Sequence, residues 1–398
     1  MTPRRIAAVT TSRADYSHLY WPLKLLSEHP AVDLRLIVMG PHLSPEFGAT
    51  IHEIEKDGFP IAARIESLLS SDTDIGMAKS IGVAVLSLAD TLGALRPDLL
   101  LLIADRYEML APASVALSLR IPIAHIEGGE ISEGAIDDAV RNALTKMSHI
   151  HFTSTVNARA RVIAMGEEPW RVHHAGAPSL DHLRRSRLLS REELATRLSL
   201  DLTTPPLLVA YHPVTLEQNT TVEAEALFAA LDTLAEQSGS LERAPIVFCY
   251  PNADAGSRSL LSRTRAFAAH HPATKLFVNL DAVAYWSLLR ESAVLIGNSS
   301  SGIMESASFA IPTVNIGLRQ KGRERARNVL DAAADTAAIL ARVAEARTPA
   351  FRASLQGMTN PYGDGHAAER IVDVLTSAPL GPELLIKRAL PLRNDFAP

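Results

Sequence analysis

Four carboxylates fall in three short stretches of the chain: Asp105 in Ala104-Asp105-Arg106-Tyr107-Glu108, Glu127 in His125-Ile126-Glu127-Gly128-Gly129-Glu130, and Asp137 and Asp138 in Ala135-Ile136-Asp137-Asp138. Crowded into one cleft, like charges push each other's pKa values apart, so one residue type can supply both an acid and a base. The competing reading is structural: Asp105 pairs with Arg106, and one of Asp137 and Asp138 caps a helix. A second group of residues suits an anion. Gly297-Asn298-Ser299-Ser300-Ser301-Gly302 is a small-residue turn whose N–H and hydroxyl groups can donate to a diphosphate, or simply an N-cap cluster. Glu305, one turn further on, can accept from ribose hydroxyls. Thr11-Ser12-Arg13-Ala14-Asp15-Tyr16-Ser17 offers hydroxyls and the Arg13 guanidinium, or an N-cap and a surface arginine. His212 in Tyr211-His212-Pro213-Val214-Thr215 can bind phosphate or act as an acid. Arg319 lies in Gly317-Leu318-Arg319-Gln320-Lys321-Gly322-Arg323, a patch of local positive charge.

These stretches need strands to end on. Short apolar runs at residues 6–10, 34–39, 99–104, 121–126 and 150–153 read as strands, and a helical period runs through 77–95. Residues 99–104 are apolar on both faces, as in the centre of a parallel sheet. The pattern breaks near Thr203-Thr204-Pro205-Pro206, then restarts with strands at 207–211, 246–250, 275–278, 294–296 and 313–316. Alternating strands and helices predict an α/β fold with two Rossmann-like domains and a central cleft. The expected division is 1–185, then 203–366, with 367–398 a helix and tail packing back on the first domain. Arg184, Arg185 and Arg325–Arg327 read as solvated faces.

Composition narrows the function. With 398 residues and 47% of them apolar, two packed domains are affordable. Thirty-nine basic residues against 44 acidic ones leave a net charge of −5, which argues against a nucleic-acid surface. Any anion site must therefore be local. The single cysteine, Cys249, excludes an intrachain disulfide and a thiolate metal cage, and reads as a core residue. His149 and His151 share a strand face without a third ligand, so no metal site is expected. The loop after the first strand lacks Gly-x-Gly-x-x-Gly, so no dinucleotide fingerprint is present. No leader or membrane span is read, and the expected location is cytoplasmic.

Taken together and in order, these motifs resemble the hydrolysing UDP-N-acetylglucosamine 2-epimerases over residues 4–375. The resemblance implies a GT-B-like fold with a UDP-sugar between the domains. It implies conversion of UDP-GlcNAc and water to N-acetylmannosamine and UDP, by elimination to a 2-acetamidoglucal and hydration with inversion at C2. No cofactor is implied. Carried over motif by motif, Asp105, Glu127, Asp137 and His212 are the candidate catalytic groups. Arg13, Ser17, Arg106, Asp138, Ser299, Ser300 and Arg319 are expected to bind substrate, with Glu305 on the ribose. Asn252 and Asn279 match two more substrate-side loops. His18 departs from the family pattern, where the non-hydrolysing branch often has Lys, and receives no ligand role. A homodimer or dimer-based tetramer is expected. Relatives with the same motifs act on UDP-2,4-diacetamido-2,4,6-trideoxyglucose (UDP-diacetylbacillosamine), which is the alternative substrate. A GT-B glycosyltransferase is the second alternative.

Overall fold

The computed structural model describes residues 2–69, 73–133, 135–214, 223–236, 244–249, 256–277 and 280–390. Strands β1 (Arg4–Thr10), β2 (Val32–Met39), β3 (Ile61–Ile65), β4 (Leu99–Ile103), β5 (Ile123–Ile126), β6 (Ile150–Thr153) and β7 (Val172–His174) form one parallel sheet. Their order is β3-β2-β1-β4-β5-β6-β7. Strands β8 (Leu207–Ala210), β9 (Ile246–Cys249), β10 (Lys275–Phe277), β11 (Val294–Gly297), β12 (Thr313–Ile316) and β13 (Val329–Ala332) form a second, in the order β10-β9-β8-β11-β12-β13. Both are doubly wound, and the winding reverses between β1 and β4 and between β8 and β11. Ligands of such sheets bind beyond the carboxyl ends of those strand pairs, because the crossovers there diverge and leave a crevice.

Every sequence-predicted strand is present, within about two residues at its ends. Three more, β3, β7 and β13, lie at sheet edges. Edge strands are half-solvated and carry polar residues such as Arg64, His173 and Asp331, so no continuous apolar run announces them. The five residues of β4 are all buried, as the apolar run at 99–104 predicts.

The helix Asp74–Leu95 is long and apolar enough, by composition, to cross a membrane. Here it covers the first sheet, burying Gly76, Ser80, Ala84, Leu88 and Leu92. The helix Ala367–Ser377 returns to the first sheet's core, where Ala367, Ile371, Val372 and Leu375 are buried. Arginines hold this return in place. Arg4 donates to the carbonyl of Ala378 at 2.9 Å. Buried Arg171 donates to those of Leu384, Glu383 and Ile386 at 2.7, 2.7 and 2.8 Å. Arg184 donates to the Gly365 carbonyl at 2.8 Å and Arg185 pairs with Glu369 at 2.7 Å. Arg184 and Arg185 are therefore tethers rather than a solvated face. Arg325 likewise donates to the carbonyls of Arg323 and Gln320 at 3.1 and 3.2 Å.

Close backbone approach shapes the turn after β11. Gly297 has φ 143°, and a Cβ there would overlap the Ala210 carbonyl on β8. Gly297→Ala is expected to cost about 3 kcal/mol of folding stability, from strain plus overpacking. Urea unfolding checks this; an unchanged midpoint would refute the close approach.

Candidate active site

Two joined cavities occupy the crevice between the sheets. The first, about 880 Å³ and open to solvent, is lined by Arg13, Ser17, His212, Ser299, Ser300, Glu305 and Arg319, together with Tyr285 and Cys249. The second, about 690 Å³, is lined by Asp105, Arg106, Glu127, Asp137, Ser300 and Arg319, together with Gln320 and Arg323. Ala14, His18, Ser300 and Arg319 line both and mark the seam. Cys249, expected in the core, reaches the wall of the first cavity.

The loop after β1 is built around Asp15. Its buried carboxylate accepts from the N–H groups of Thr11 and Ser12 at 3.0 and 3.1 Å and from the Thr11 hydroxyl at 2.6 Å. Burial would raise its pKa, but His42 and the Thr10 and Thr11 hydroxyls hold it below the usual carboxylate range. Asp15 thus takes the capping role, while Arg13 and Ser17 line the first cavity. Across the crevice, Asn298 locks the turn after β11 to the loop after β8. Its side chain accepts from the His212 N–H at 2.7 Å and donates to the His212 carbonyl at 2.9 Å. The Asn298 carbonyl in turn accepts from Arg319 at 3.2 Å and Gln320 at 2.9 Å. Burial, with the cations Arg319, Arg13 and Arg106 nearby, pushes the His212 imidazole well below its ordinary pKa. The guanidinium groups beside His212 give this wall local positive charge, the kind of surface that suits an anion.

The second cavity collects the carboxylates. Ala104 at the end of β4 has φ 57° and Glu127 at the end of β5 has φ 65°. Non-glycine residues in this left-handed region carry strain of about 1–3 kcal/mol, concentrated at functional sites. Ladder bonds hold both: Ala104 donates to Ile126 O at 2.9 Å and Glu127 to Phe152 O at 2.7 Å. Asp105 and Arg106 do not pair with each other. Asp105 contacts buried Arg141, while Arg106 grips Glu108 with two bonds of 2.7 and 3.1 Å. Asp137 and Asp138 open the helix Ile136–Met147 and diverge. Asp137 faces the cavity and meets Arg319 of the second domain at 3.4 Å. Asp138 lies outside both cavities and accepts from the Ser132 N–H at 2.8 Å and the Asn142 amide at 3.1 Å. Asn252 and Asn279 lie outside the described residues.

Glu305, read from sequence as one turn beyond the serine turn, is the C-terminal cap of a short helix, Ser301–Met304, and a 3-10 turn, Ser306–Phe309, follows it. Glu305 is only 3% exposed and its Oε1 lies 3.5 Å from His18 Nε2. The opposite ring nitrogen, Nδ1, is 2.9 Å from Glu127 Oε1. His18, given no role from sequence, therefore stands between carboxylates of both domains. Burial alone would lower its pKa; Glu127 and Glu305 outweigh burial and raise it to about 10. The same cation holds Glu127, whose burial would raise it, below the usual carboxylate range. Tyr285, Gln320 and Arg323 are further lining residues that sequence reasoning did not single out. The last two sit in the quoted 317–323 stretch, but its charge pattern does not tell buried Arg323 from Lys321, which pairs with Glu133 at 3.2 Å on the surface. His149 and His151 are occupied elsewhere: His149 accepts from the Ile123 N–H at 3.1 Å, and His151 meets Glu167 at 3.2 Å.

A family model described as UDP-N-acetylglucosamine 2-epimerase matches residues 24–376. The chain belongs to this family. The GDP/UDP-N,N'-diacetylbacillosamine 2-epimerase (hydrolyzing) of Campylobacter jejuni is 38% identical over 83% of this chain and 85% of its own length. The UDP-N,N'-diacetylbacillosamine 2-epimerase (hydrolyzing) of Legionella pneumophila is 36% identical over 96% of this chain and 98% of its own. Among solved structures, the UDP-GlcNAc 2-epimerase from Neisseria meningitidis bound to UDP-GlcNAc superposes with a TM-score of 0.79 at 16% identity, covering 93% of this chain and 99% of that one. The GT-B-like architecture is thus shared with UDP-N-acetylglucosamine 2-epimerases, and the chain is a UDP-sugar 2-epimerase.

His18 also makes the fold pH-dependent in a defined direction. Its folded pKa lies above the ordinary 6.5, so its contribution to stability is complete below pH 6.5 and is lost as pH rises through about 10. The stability advantage of the natural chain over His18→Gln should therefore shrink between pH 7 and 10 in urea titrations. A constant difference would mean that the imidazole is neutral.

Proposed function

We propose that the chain hydrolyses UDP-2,4-diacetamido-2,4,6-trideoxyglucose, releasing UDP and the free sugar with C2 inverted. The observation that supports the reaction class is that Asp105, Glu127 and Asp137 line a cavity that shares Ser300 and Arg319 with the cavity of Arg13, His212 and the serine turn. In this reading the diphosphate lies in the first cavity against Arg13, Arg319 and the serine turn, and the sugar lies in the second. The bond between C1 and the phosphate oxygen then falls at the seam. The proton on C2 is weakly acidic, so a base must be fixed close to it. Removal of that proton sends the C–H electrons into a C1–C2 double bond as UDP departs with the C1–O electrons. Water then adds its hydroxyl at C1 while a proton returns to the other face of C2. Asp105, Glu127 and Asp137 are the acid–base set. His212, neutral before substrate arrives, acts as a phosphate ligand.

The sequence motifs alone put UDP-GlcNAc first. The substrate named for both relatives, at 38% and 36% identity, favours the diacetamido sugar. The second cavity is compatible with it: Met304 and the methyls of Ala14 and Ala104 give an otherwise polar lining apolar surface for a C6 methyl.

Incubation of the pure protein with each UDP-sugar in D2O tests both levels. The expected result is free UDP with a manno-configured diacetamido sugar carrying deuterium at C2, and slower turnover of UDP-GlcNAc. Faster turnover of UDP-GlcNAc would reverse the substrate choice. Unlabelled C2, with transfer only when an acceptor is added, would make the protein a glycosyltransferase. Glu127→Gln or Asp105→Asn should lower kcat by about 100-fold or more while UDP still binds by calorimetry. Full turnover in either variant would remove that residue from the acid–base set.

A further inference from the structure

We propose that His18 is a positioning residue of this reaction: an imidazolium that ties Glu127 of the first domain to Glu305 of the second and keeps the Glu127 carboxylate anionic and aimed into the sugar cavity. The proposal rests on the UDP-sugar reading of the site.

The geometry argues for the cation. A neutral imidazole has one N–H and one lone pair, so it donates to one partner only. Here each ring nitrogen faces a carboxylate oxygen, Nδ1 at 2.9 Å from Glu127 and Nε2 at 3.5 Å from Glu305. Nδ1 is hydrogen-bonded to Glu127 and Nε2 stands at ion-pair distance from Glu305, and a doubly protonated ring serves both carboxylates. The ring is 16% exposed and its partners 7% and 4%, so solvent screens the interaction little. The other titratable group against it is His182, which burial holds at about 4 and whose Nε2 donates to the Ser17 carbonyl at 2.7 Å. Behind Glu127 stand Arg323, His125 and Glu130; burial keeps His125 at about 4 and raises Glu130 to about 7. None of these supplies a second ring-stacked or hydrogen-bonded cation to Glu127 among the described residues.

The supports on all three sides are stiff. His18 rides on the helix Arg13–Glu28, whose first turn is held by Asp15 and by the His182 bond to Ser17. Glu127 is fixed by its left-handed backbone and its bond to Phe152. Glu305 offers Oε1 to the ring, while its buried Oε2 has no hydrogen-bond partner among the described residues. That spare oxygen is on a residue lining the nucleotide cavity, so one carboxylate faces both the bridge and the ligand. His18 itself lines both cavities. The bridge therefore couples the position of the second domain to the orientation of Glu127.

The test uses the full chain with isotope-labelled histidine. The His18 signal is assigned by its loss in His18→Gln. In the natural chain the ring should remain protonated at pH 8, and in Glu127→Gln its midpoint should fall toward the ordinary range. A neutral ring at pH 8 overturns the proposal, whether or not any UDP-sugar is turned over. The acidic limb of kcat for UDP release should move up by about one pH unit in His18→Gln, a tenfold loss at fixed pH below it, and stay in place in His18→Lys, which keeps a cation. An unmoved limb in His18→Gln overturns the positioning role. Absence of UDP release from the natural chain is a failure of the substrate reading alone, because the NMR titration still decides the bridge.

Discussion

In each sheet the crossovers leave in opposite directions from one pair of neighbouring strands, β1 with β4 and β8 with β11, and the reversal opens a crevice that no sheet residue fills. Everything polar in the site follows from this constraint. The loops after those four strands carry Arg13, Asp105, His212 and the serine turn, so residues separated by nearly 290 positions meet in one cleft. Glu127 arrives from β5, the next strand along, and Asp137 from the helix that follows it. The apolar strands are buried because helices cover both faces, and the ends of the strands are the only places where polar groups can collect without breaking that cover.

Charge is organised at the same place. The chain as a whole is acidic, yet the crevice brings guanidinium groups in among its carboxylates: Arg106, Arg319 and Arg323 line the same cavity as Asp105, Glu127 and Asp137. Most of those carboxylates have a cation of their own, Asp105 with Arg141, Asp137 with Arg319 and Glu127 with His18. For Glu127 burial alone would favour the neutral acid, and His18 holds its pKa below the usual carboxylate range instead. Burial, with Arg319, Arg13 and Arg106 nearby, holds the pKa of His212 well below the ordinary value.

Much of this was legible in the sequence because local pattern decides it. Strand β4 reads as central from five apolar residues in a row, and the motif loops read as strand ends because small and charged residues follow each run. What the sequence did not disclose is set by distance along the chain. His18 resembles any surface histidine on an amphipathic helix until Glu127, 109 residues on, and Glu305 close around it. The separation of Asp137 from Asp138 depends on which side of one helix turn faces the crevice, and Asp138 turns out to hold the Ser132 loop. The edge strands β3, β7 and β13 escaped because they need only one apolar face.

The return of the chain to the first domain has a mechanical consequence. The polypeptide crosses between the two sheets once on leaving, after Arg185, and once on coming back, before Ala367. The two passages lie side by side: Ala177 donates to the Tyr362 carbonyl at 2.8 Å, and Arg184 to that of Gly365 at 2.8 Å. A single tether would let one domain swivel in any direction about the other. Two tethers pinned together restrict that freedom as a door hinge does, leaving rotation about one line as the least hindered movement of one sheet against the other.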